Sequence, residues 1–217
     1  MGGFLYFLAP IAFAQESSQH PGRELFDAYG CGSCHSVDSV GGSAGPDLTY
    51  VGLRRKKEWL DLWLTNPKSW KPNTLMPVPG LPAKTRQVIA DYLMTLKGTD
   101  SLPYSWNLPK EPQVRGRLIY LKAGCVACHD RQGQGGHPNN NVPGGEIPAL
   151  AKTISTYTPD ELKKKIKRGV KPESLNPNDP APMVEMPAWG QTFSEKELND
   201  LVSYLFTLGP KQPEETW

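Results

Sequence analysis

The sequence predicts an all-α fold of two similar modules in tandem, each with about three to five short helices joined by long loops. Three observations predict it. Several segments repeat apolar residues at spacings of three and four, which is the period of an amphipathic helix. Glycine (21) and proline (22) make up about a fifth of the 217 residues and favour long loops. Finally, a set of landmark residues occurs twice at a fixed offset, as in proteins built from repeated units.

Five segments carry helix signals. In the first module, one segment leads into a cysteine motif, one is rich in Trp and Leu, and one places Val88, Ile89 and Tyr92 on a single face. In the second module, two capping boxes mark helix starts, because the Ser or Thr side chain and a Glu three residues later satisfy the first free N–H groups. The predicted helices are Arg23–Tyr29, Lys57–Thr65, Ala83–Leu96, a helix from the Thr158 capping box to about Arg168, and a helix from the Ser194 capping box onward.

The repeat defines the domain boundaries. Gly22, Arg23, Phe26 and Gly30 recur 94 residues later as Gly116, Arg117, Tyr120 and Gly124. The offset grows to 110 between Met76-Pro77 and Met186-Pro187, so the second copy carries extra loop before its methionine. We therefore predict a first domain at residues 15–98, a proline-containing linker at 99–112 and a second domain at 113–217.

The N-terminal residues 1–14 are predicted to be a signal peptide. An apolar run ends at Ala12-Phe13-Ala14, a small-x-small pattern typical of a cleavage site. As a helix this segment would span about 21 Å at 1.5 Å per residue, less than the ~30 Å of a bilayer core. We expect export to the periplasm or the outer face of the cytoplasmic membrane, and a retained N-terminal anchor stays open as the alternative.

Two cysteine motifs predict the cofactor. Each Cys-x-x-Cys pair is followed directly by histidine, although the chain has only four of each residue. This is the attachment pattern of c-type haem, in which the two thiols add to the vinyl groups and the histidine ligates the iron. We predict two covalently bound haems, with Cys31, Cys34, Cys125 and Cys128 as attachment residues and His35 and His129 as iron ligands.

Other uses of four cysteines fit less well. Disulfides do not call for a histidine after each pair. A thioredoxin-type motif needs a βαβ surround, and no β-branched strand run lies near either motif. Zinc knuckles normally lie within about 20 residues of each other, whereas these motifs are 94 apart.

The sixth iron ligand is expected to be a methionine sulfur, since Met/His ligation raises the potential of an electron-transfer haem. Met76 lies in a Pro-rich loop between the cysteine motif and the last helix of the first module. In the second module Met183 and Met186 compete, and Met186 is favoured because it repeats the Met-Pro pair. His20 and His137 are interpreted as solvated loop residues that do not ligate iron.

Both halves resemble class I cytochrome c domains, and the chain after residue 14 is similar to tandem dihaem cytochromes c. The features that carry this are the Gly-x-x-x-aromatic lead-in, Cys-x-x-Cys-His, Gly45-Pro46-Asp47-Leu48, the Met-Pro loops and the closing helices. The resemblance implies that the Pro46 carbonyl accepts a hydrogen bond from the proximal histidine. Pro148 is the counterpart in the second module, where Ile147 stands at the position of the usual glycine.

The resemblance implies outer-sphere electron transfer with no catalytic residue. We expect a periplasmic carrier or the cytochrome subunit of a membrane oxidoreductase, with a quinol-oxidising complex or dehydrogenase as donor and an oxidase or reductase as acceptor. Membrane association would come through such a complex or an uncleaved N-terminus. A dihaem peroxidase, a sulfur-compound dehydrogenase and a haem-based ligand sensor are alternatives, and each needs an open or displaceable iron position.

The near balance of basic and acidic residues gives no indication of a nucleic-acid partner. The net charge is only +2, with 24 Lys and Arg against 22 acids. Two basic runs, Arg54–Lys57 and Lys163–Arg168, are interpreted as solvated helix faces, with a steering patch for an acidic redox partner as the alternative.

Overall fold

A computed structural model describes residues 20–98 and 109–209 of the chain, and the all-α prediction is confirmed. No helix in these two ranges has the length and apolar character needed to cross a bilayer. A two-stranded antiparallel hairpin, β1 (Ser36–Val37) and β2 (Val40–Gly41), follows the first cysteine motif. The helices are α1 (Pro21–Ala28), α2 (Val51–Arg54), α3 (Lys57–Thr65), α4 (Pro67–Trp70), α5 (Ala83–Thr95), α6 (Pro112–Lys122), α7 (Val126–His129), α8 (Leu150–Ile154), α9 (Pro159–Arg168) and α10 (Glu195–Phe206).

The helix ends follow their local signals. Helix α3 has the predicted bounds, and α9 and α10 begin with the predicted capping boxes at Thr158 and Ser194. Helix α1 begins two residues earlier than predicted, at Pro21, because Nδ1 of His20 accepts a hydrogen bond from the Gly22 N–H at 3.0 Å. His20 is therefore a helix cap, and the interpretation of this residue as a solvated loop side chain is wrong.

In the first module, α1 crosses α5 at a glycine. A Cβ atom on Gly22 would lie 2.5 Å from the Cβ of Tyr92 and would also collide with the carbonyl oxygen of Val88. Phe26, one turn further along α1, packs edge-on against Tyr92 with 5.8 Å between ring centroids. The Gly-x-x-x-aromatic lead-in is thus the surface by which the first helix docks on the last.

The second module repeats this packing with different residues. Gly116 of α6 lies against the backbone of α10, where a Cβ atom would collide with the carbonyl oxygen of Asp200. Tyr120 packs edge-on against Tyr204 with ring centroids 5.4 Å apart. Arg115 adds an ion pair with the buried Asp200 carboxylate at 2.7 Å. The repeat in the sequence therefore corresponds to one helix-crossing geometry used twice.

We predict that Gly116→Ala destabilises the protein. The new methyl group would strike backbone of α10 that cannot rotate away, and such overpacking costs about 1–3 kcal/mol. Alanine gains about 1 kcal/mol of helix propensity over glycine, and since the new Cβ would overlap a backbone oxygen we expect the upper part of the range, a net loss of up to about 2 kcal/mol. Urea unfolding of the haem-loaded protein measures this change in the free energy of unfolding.

The matched control is Gly209→Ala, because a Cβ at Gly209 would make only ordinary contacts, 3.5 Å from the Phe206 carbonyl oxygen and 3.9 Å from Ile154. Equal unfolding free energies for the two variants would show that α6 and α10 do not pack this closely.

The two modules exchange parts of their hydrophobic cores. Tyr50, from the first module, is 2% exposed and packs edge-on against Trp189 and Phe193 of the second, at centroid distances of 5.9 and 6.2 Å. In the other direction, Val184 and Ile147 of the second module pack into the first module's core. Neither core is complete without side chains of the other module.

The first basic run is buried in this interface. Arg54 and Arg55 are each only 5% exposed. Nη1 of Arg54 donates to the Gly124 carbonyl at 3.2 Å, and Nη2 donates to the Asp47 carbonyl at 2.6 Å. Lys56 forms an ion pair with Glu185 at 2.7 Å across the modules. The interpretation of this run as a solvated face is therefore wrong for both arginines, because they connect the modules.

We predict that the two modules unfold in one transition and that Tyr50→Ala destabilises both together. Removing a buried aromatic side chain typically costs about 3–5 kcal/mol. Thermal unfolding monitored separately by helix content and by haem absorbance tests this.

The control is Tyr29→Ala, since Tyr29 is a tyrosine with 47% of its surface exposed. Two resolved transitions, of which Tyr50→Ala shifts only one, would contradict a shared core.

Candidate haem-binding sites

The first cysteine motif follows α1 through a 3₁₀ turn, Cys31–Ser33, which a left-handed Gly30 (φ 69°) admits. Nδ1 of His35 lies 2.8 Å from the carbonyl oxygen of Pro46. A carbonyl can only accept, so Nδ1 carries the proton and Nε2 keeps its lone pair. This is the tautomer that a histidine needs to ligate iron through Nε2.

Gly45 allows this contact. A Cβ atom at this position would lie 2.5 Å from Cε1 and 2.6 Å from Nδ1 of His35. The backbone of the Gly45-Pro46 loop can therefore rest on the imidazole only because residue 45 has no side chain. The loop in turn fixes the orientation of the ring.

The second motif differs at this point. Helix α7 carries His129, whose Nδ1 is buried and has no hydrogen-bond partner within the described residues. Burial and the nearby Arg55 charge lower the pKa of His129 to about 4, so the ring is neutral. The resemblance assigned the Pro148 carbonyl as acceptor, and the structure does not show that bond.

Ile147 gives the physical reason. It occupies the position of Gly45, and its side chain packs into the core of the first module. Its N–H donates to the His137 carbonyl and its own carbonyl accepts from Gly136, both at 2.8 Å. The loop that rests on the histidine in the first module is thus packed and bonded differently in the second.

A large apolar cavity of about 620 Å³ lies in the second module. Its walls include Cys125, Cys128, His129 and Met186, together with Pro148 and many aliphatic and aromatic side chains. The volume falls in the range of cofactor sites, which are concave and mostly apolar with a few placed polar groups. The donors of a c-type haem site thus line one cavity, and the residues fit that group.

Met186 is held at this cavity by backbone pairing. Its N–H and its carbonyl both bond to Val170, each at 2.9 Å. Met183, its competitor, packs instead against the core of the first module. The geometry therefore favours Met186 as the axial ligand of the second module.

Met76 packs against the core of the first module, together with Cys31. The indole N–H of Trp63 lies 2.9 Å from the Met76 sulfur and donates to it. The Met-Pro loop is thereby held against α3. The structure thus places Met76 and Cys31 against one hydrophobic core.

Two buried indole groups in the first module have no acceptor. Nε1 of Trp59 and Nε1 of Trp70 are buried without a hydrogen-bond partner among the described residues. An unsatisfied buried donor costs about 1–3 kcal/mol, and such groups call for an explanation, for example a bound molecule. A cofactor with acidic side groups supplies suitable acceptors, so these donors also fit haem.

His137 is a residue whose position the sequence did not indicate. It is 4% exposed, stacks on Trp63 with 6.2 Å between centroids, and its Nε2 lies 3.4 Å from Nη2 of Arg55. Its Nδ1 bonds to the Pro138 carbonyl at 2.9 Å, and burial beside Arg55 lowers its pKa to about 4. The interpretation of His137 as a solvated residue is wrong. Both of its nitrogens have partners, so it is neutral and engaged in the interface.

No disulfide joins the four cysteines. Burial raises the pKa of Cys125 to about 12, with Arg54 acting in the opposite sense, so its sulfur is neutral. In residues 20–98 and 109–209 no cluster of three or more His, Cys, Asp or Glu side chains is arranged to hold a metal ion.

Comparisons with known families, curated proteins and solved structures each give a match. A family model described as Cytochrome c matches residues 19–97 and 113–209. Cytochrome c oxidase subunit 2 of Alkalihalophilus pseudofirmus is 31% identical over 98 residues, which are 41% of this chain and 29% of that protein. The chain thus spans less than a third of the length of that relative. A chain of the reducing HAO-like protein complex of Kuenenia stuttgartiensis aligns with 87% of this chain and 96% of its own, at 16% identity and a TM-score of 0.33.

Proposed function

Because the chain belongs to the cytochrome c family, we propose that it is an exported dihaem electron carrier with one His/Met-ligated haem in each module. Membership implies covalently bound haem c and haem-based electron transfer between redox partners. The proposal adds the number of haems and the ligands, His35 with Met76 and His129 with Met186. The observation that carries it is the apolar cavity in which Cys125, Cys128, His129 and Met186 meet.

The residues prepare each site for electron transfer with little rearrangement. Pro46 holds the ring of His35, and pairing with Val170 holds the loop of Met186. The apolar walls of the second cavity exclude water. Haem supplies one-electron chemistry when bound, and the protein tunes it through axial ligands, hydrogen bonds and burial. A ligand set that stays fixed in both oxidation states suits a carrier rather than an enzyme, which needs an open iron position.

The proposed cellular role draws on the N-terminal sequence and on the relative. Residues 1–14, which lie outside the described residues, carry an export pattern that supports a location in the periplasm or on the outer face of the cytoplasmic membrane. The relative named as an oxidase subunit supports an oxidase or reductase as acceptor. A quinol-oxidising complex or a dehydrogenase would be the donor. The protein would act as a shuttle or as a fixed subunit of such a complex.

The test is haem counting followed by ligand binding. The chain is produced with haem-maturation machinery, its mass is measured, and the visible spectrum of the reduced protein is recorded with and without carbon monoxide. We expect two haems per chain, sharp α bands and no response to carbon monoxide. A response in the unmodified protein would show an open iron and would support the enzyme or sensor alternatives.

We predict that Met186→Ala opens one of the two irons to carbon monoxide. The loss of the thioether leaves one coordination position free, so about half of the haem should respond. Met183→Ala is the matched control, because Met183 lies three residues away and packs on the other module's core. A response of Met183→Ala and none of Met186→Ala would reverse the ligand assignment.

A further inference from the structure

We propose that the two haem sites differ in reduction potential, with the second module as the high-potential site, so that electrons move from the first module to the second. This rests on the proposed function, since it requires a haem in each module. Two independent contrasts between the sites carry it: the hydrogen bond on the axial histidine and the charge buried beside it.

The first contrast is at Nδ1 of the axial histidine. His35 donates to the Pro46 carbonyl at 2.8 Å, whereas Nδ1 of His129 has no partner in the described part of the chain. A hydrogen bond from the far nitrogen makes the imidazole a stronger electron donor to the metal. A stronger donor stabilises the ferric state and lowers the potential. This bond therefore favours oxidation at the first site, and its absence favours reduction at the second.

The sequence builds in this difference. At residue 45 the loop rests on the imidazole, and even a methyl group there would lie 2.5 Å from the ring. At residue 147 an isoleucine side chain packs into the other module, with its backbone bonded on both sides. The contrast is a fixed property of the two loops.

The second contrast is electrostatic. At the first site, the Asp47 carboxylate lies close to the axial histidine, because it accepts from the hydroxyl of Ser36, the residue after His35, at 2.9 Å. At the second site, Ala149 stands at the position of Asp47, so no carboxylate follows the proline there. Arg54 itself lines the second cavity, with its Nε unpaired and no salt bridge to it in the described ranges. A buried cation at the cavity disfavours the more positive, ferric state, whereas a carboxylate beside the first site favours it.

Other charges and contacts near the two sites have weaker effects on the potentials. Glu146, Glu185 and Lys165 also line the second cavity, but Glu146 is exposed to screening solvent and Glu185 pairs with Lys56 at 2.7 Å. The Trp63 hydrogen bond to Met76 has the opposite effect on the potential difference. It draws electron density from the sulfur that would ligate the first iron, and this raises the potential of the first site. Thioether sulfur is a weak acceptor, so this bond does not outweigh the two contrasts.

The test is a spectroelectrochemical titration of the haem-loaded full chain, after two haems have been counted by mass. We expect two one-electron steps, with at least a tenfold preference for the electron on one site, which corresponds to 59 mV. Met186→His and Met76→His assign the steps, since replacing methionine by histidine lowers the potential of its own site. We expect Met186→His to lower the upper step. The proposal is overturned if Met76→His lowers it instead.

Two further variants test the causes. Arg54→Met removes the charge at similar size and should lower the potential of the upper step more than that of the lower step. Arg54→Lys keeps the charge and should therefore keep the potential of the upper step. Gly45→Ala should break the Pro46 contact and raise the potential of the lower step, and Gly209→Ala, which lies outside both haem motifs, is its control. Two coinciding steps in a protein with two haems would overturn this inference and leave the proposed function standing. One haem per chain would overturn both.

Discussion

Burial of the Arg54 guanidinium between the modules constrains the rest of the structure. A buried cation must find acceptors, because an unsatisfied one is costly to remove from water. Arg54 finds them in two backbone carbonyls, one beside the loop that holds His35 and one beside Cys125. Each carbonyl lies next to a candidate haem site, so the two sites cannot move independently. Tyr50, four residues earlier, anchors the same segment in the second core.

The longer loop of the second module also serves this interface. Asn139 accepts from the Val184 N–H at 3.0 Å and donates to the Val184 carbonyl at 2.9 Å. Asn140 holds the preceding residue by accepting from the Met183 N–H at 2.8 Å, and its amide nitrogen donates to the Ala181 carbonyl at 2.9 Å. The amides thereby present Val184 to the first module's core. The inserted residues that made the repeat slip are thus ordered by side-chain amides and form the contact between the copies.

The sequence predicted the features that depend on local chemistry. Capping boxes, the proline-bounded helix α3 and the cysteine motifs need only neighbouring residues, and the helix predictions were confirmed to within one or two residues at the ends compared. It did not predict the interface, because Arg54–Lys57 has the same pattern whether water or another module covers it. Likewise His137 in a Gly- and Asn-rich segment gives no signal of burial. The sequence did show that Ile147 replaces a glycine, but its effect on His129 depends on where that side chain packs.

The shared cores also bear on how such a chain changes over generations. Two copies of a module that touch only at their surfaces can drift, be lost or be recombined with other partners one at a time. Here a new side chain at Val184 must fit the core of the first module, and a new side chain at Tyr50 must fit the core of the second. The duplicated halves have therefore become a single unit of inheritance, in which each half is part of the environment that selects the other.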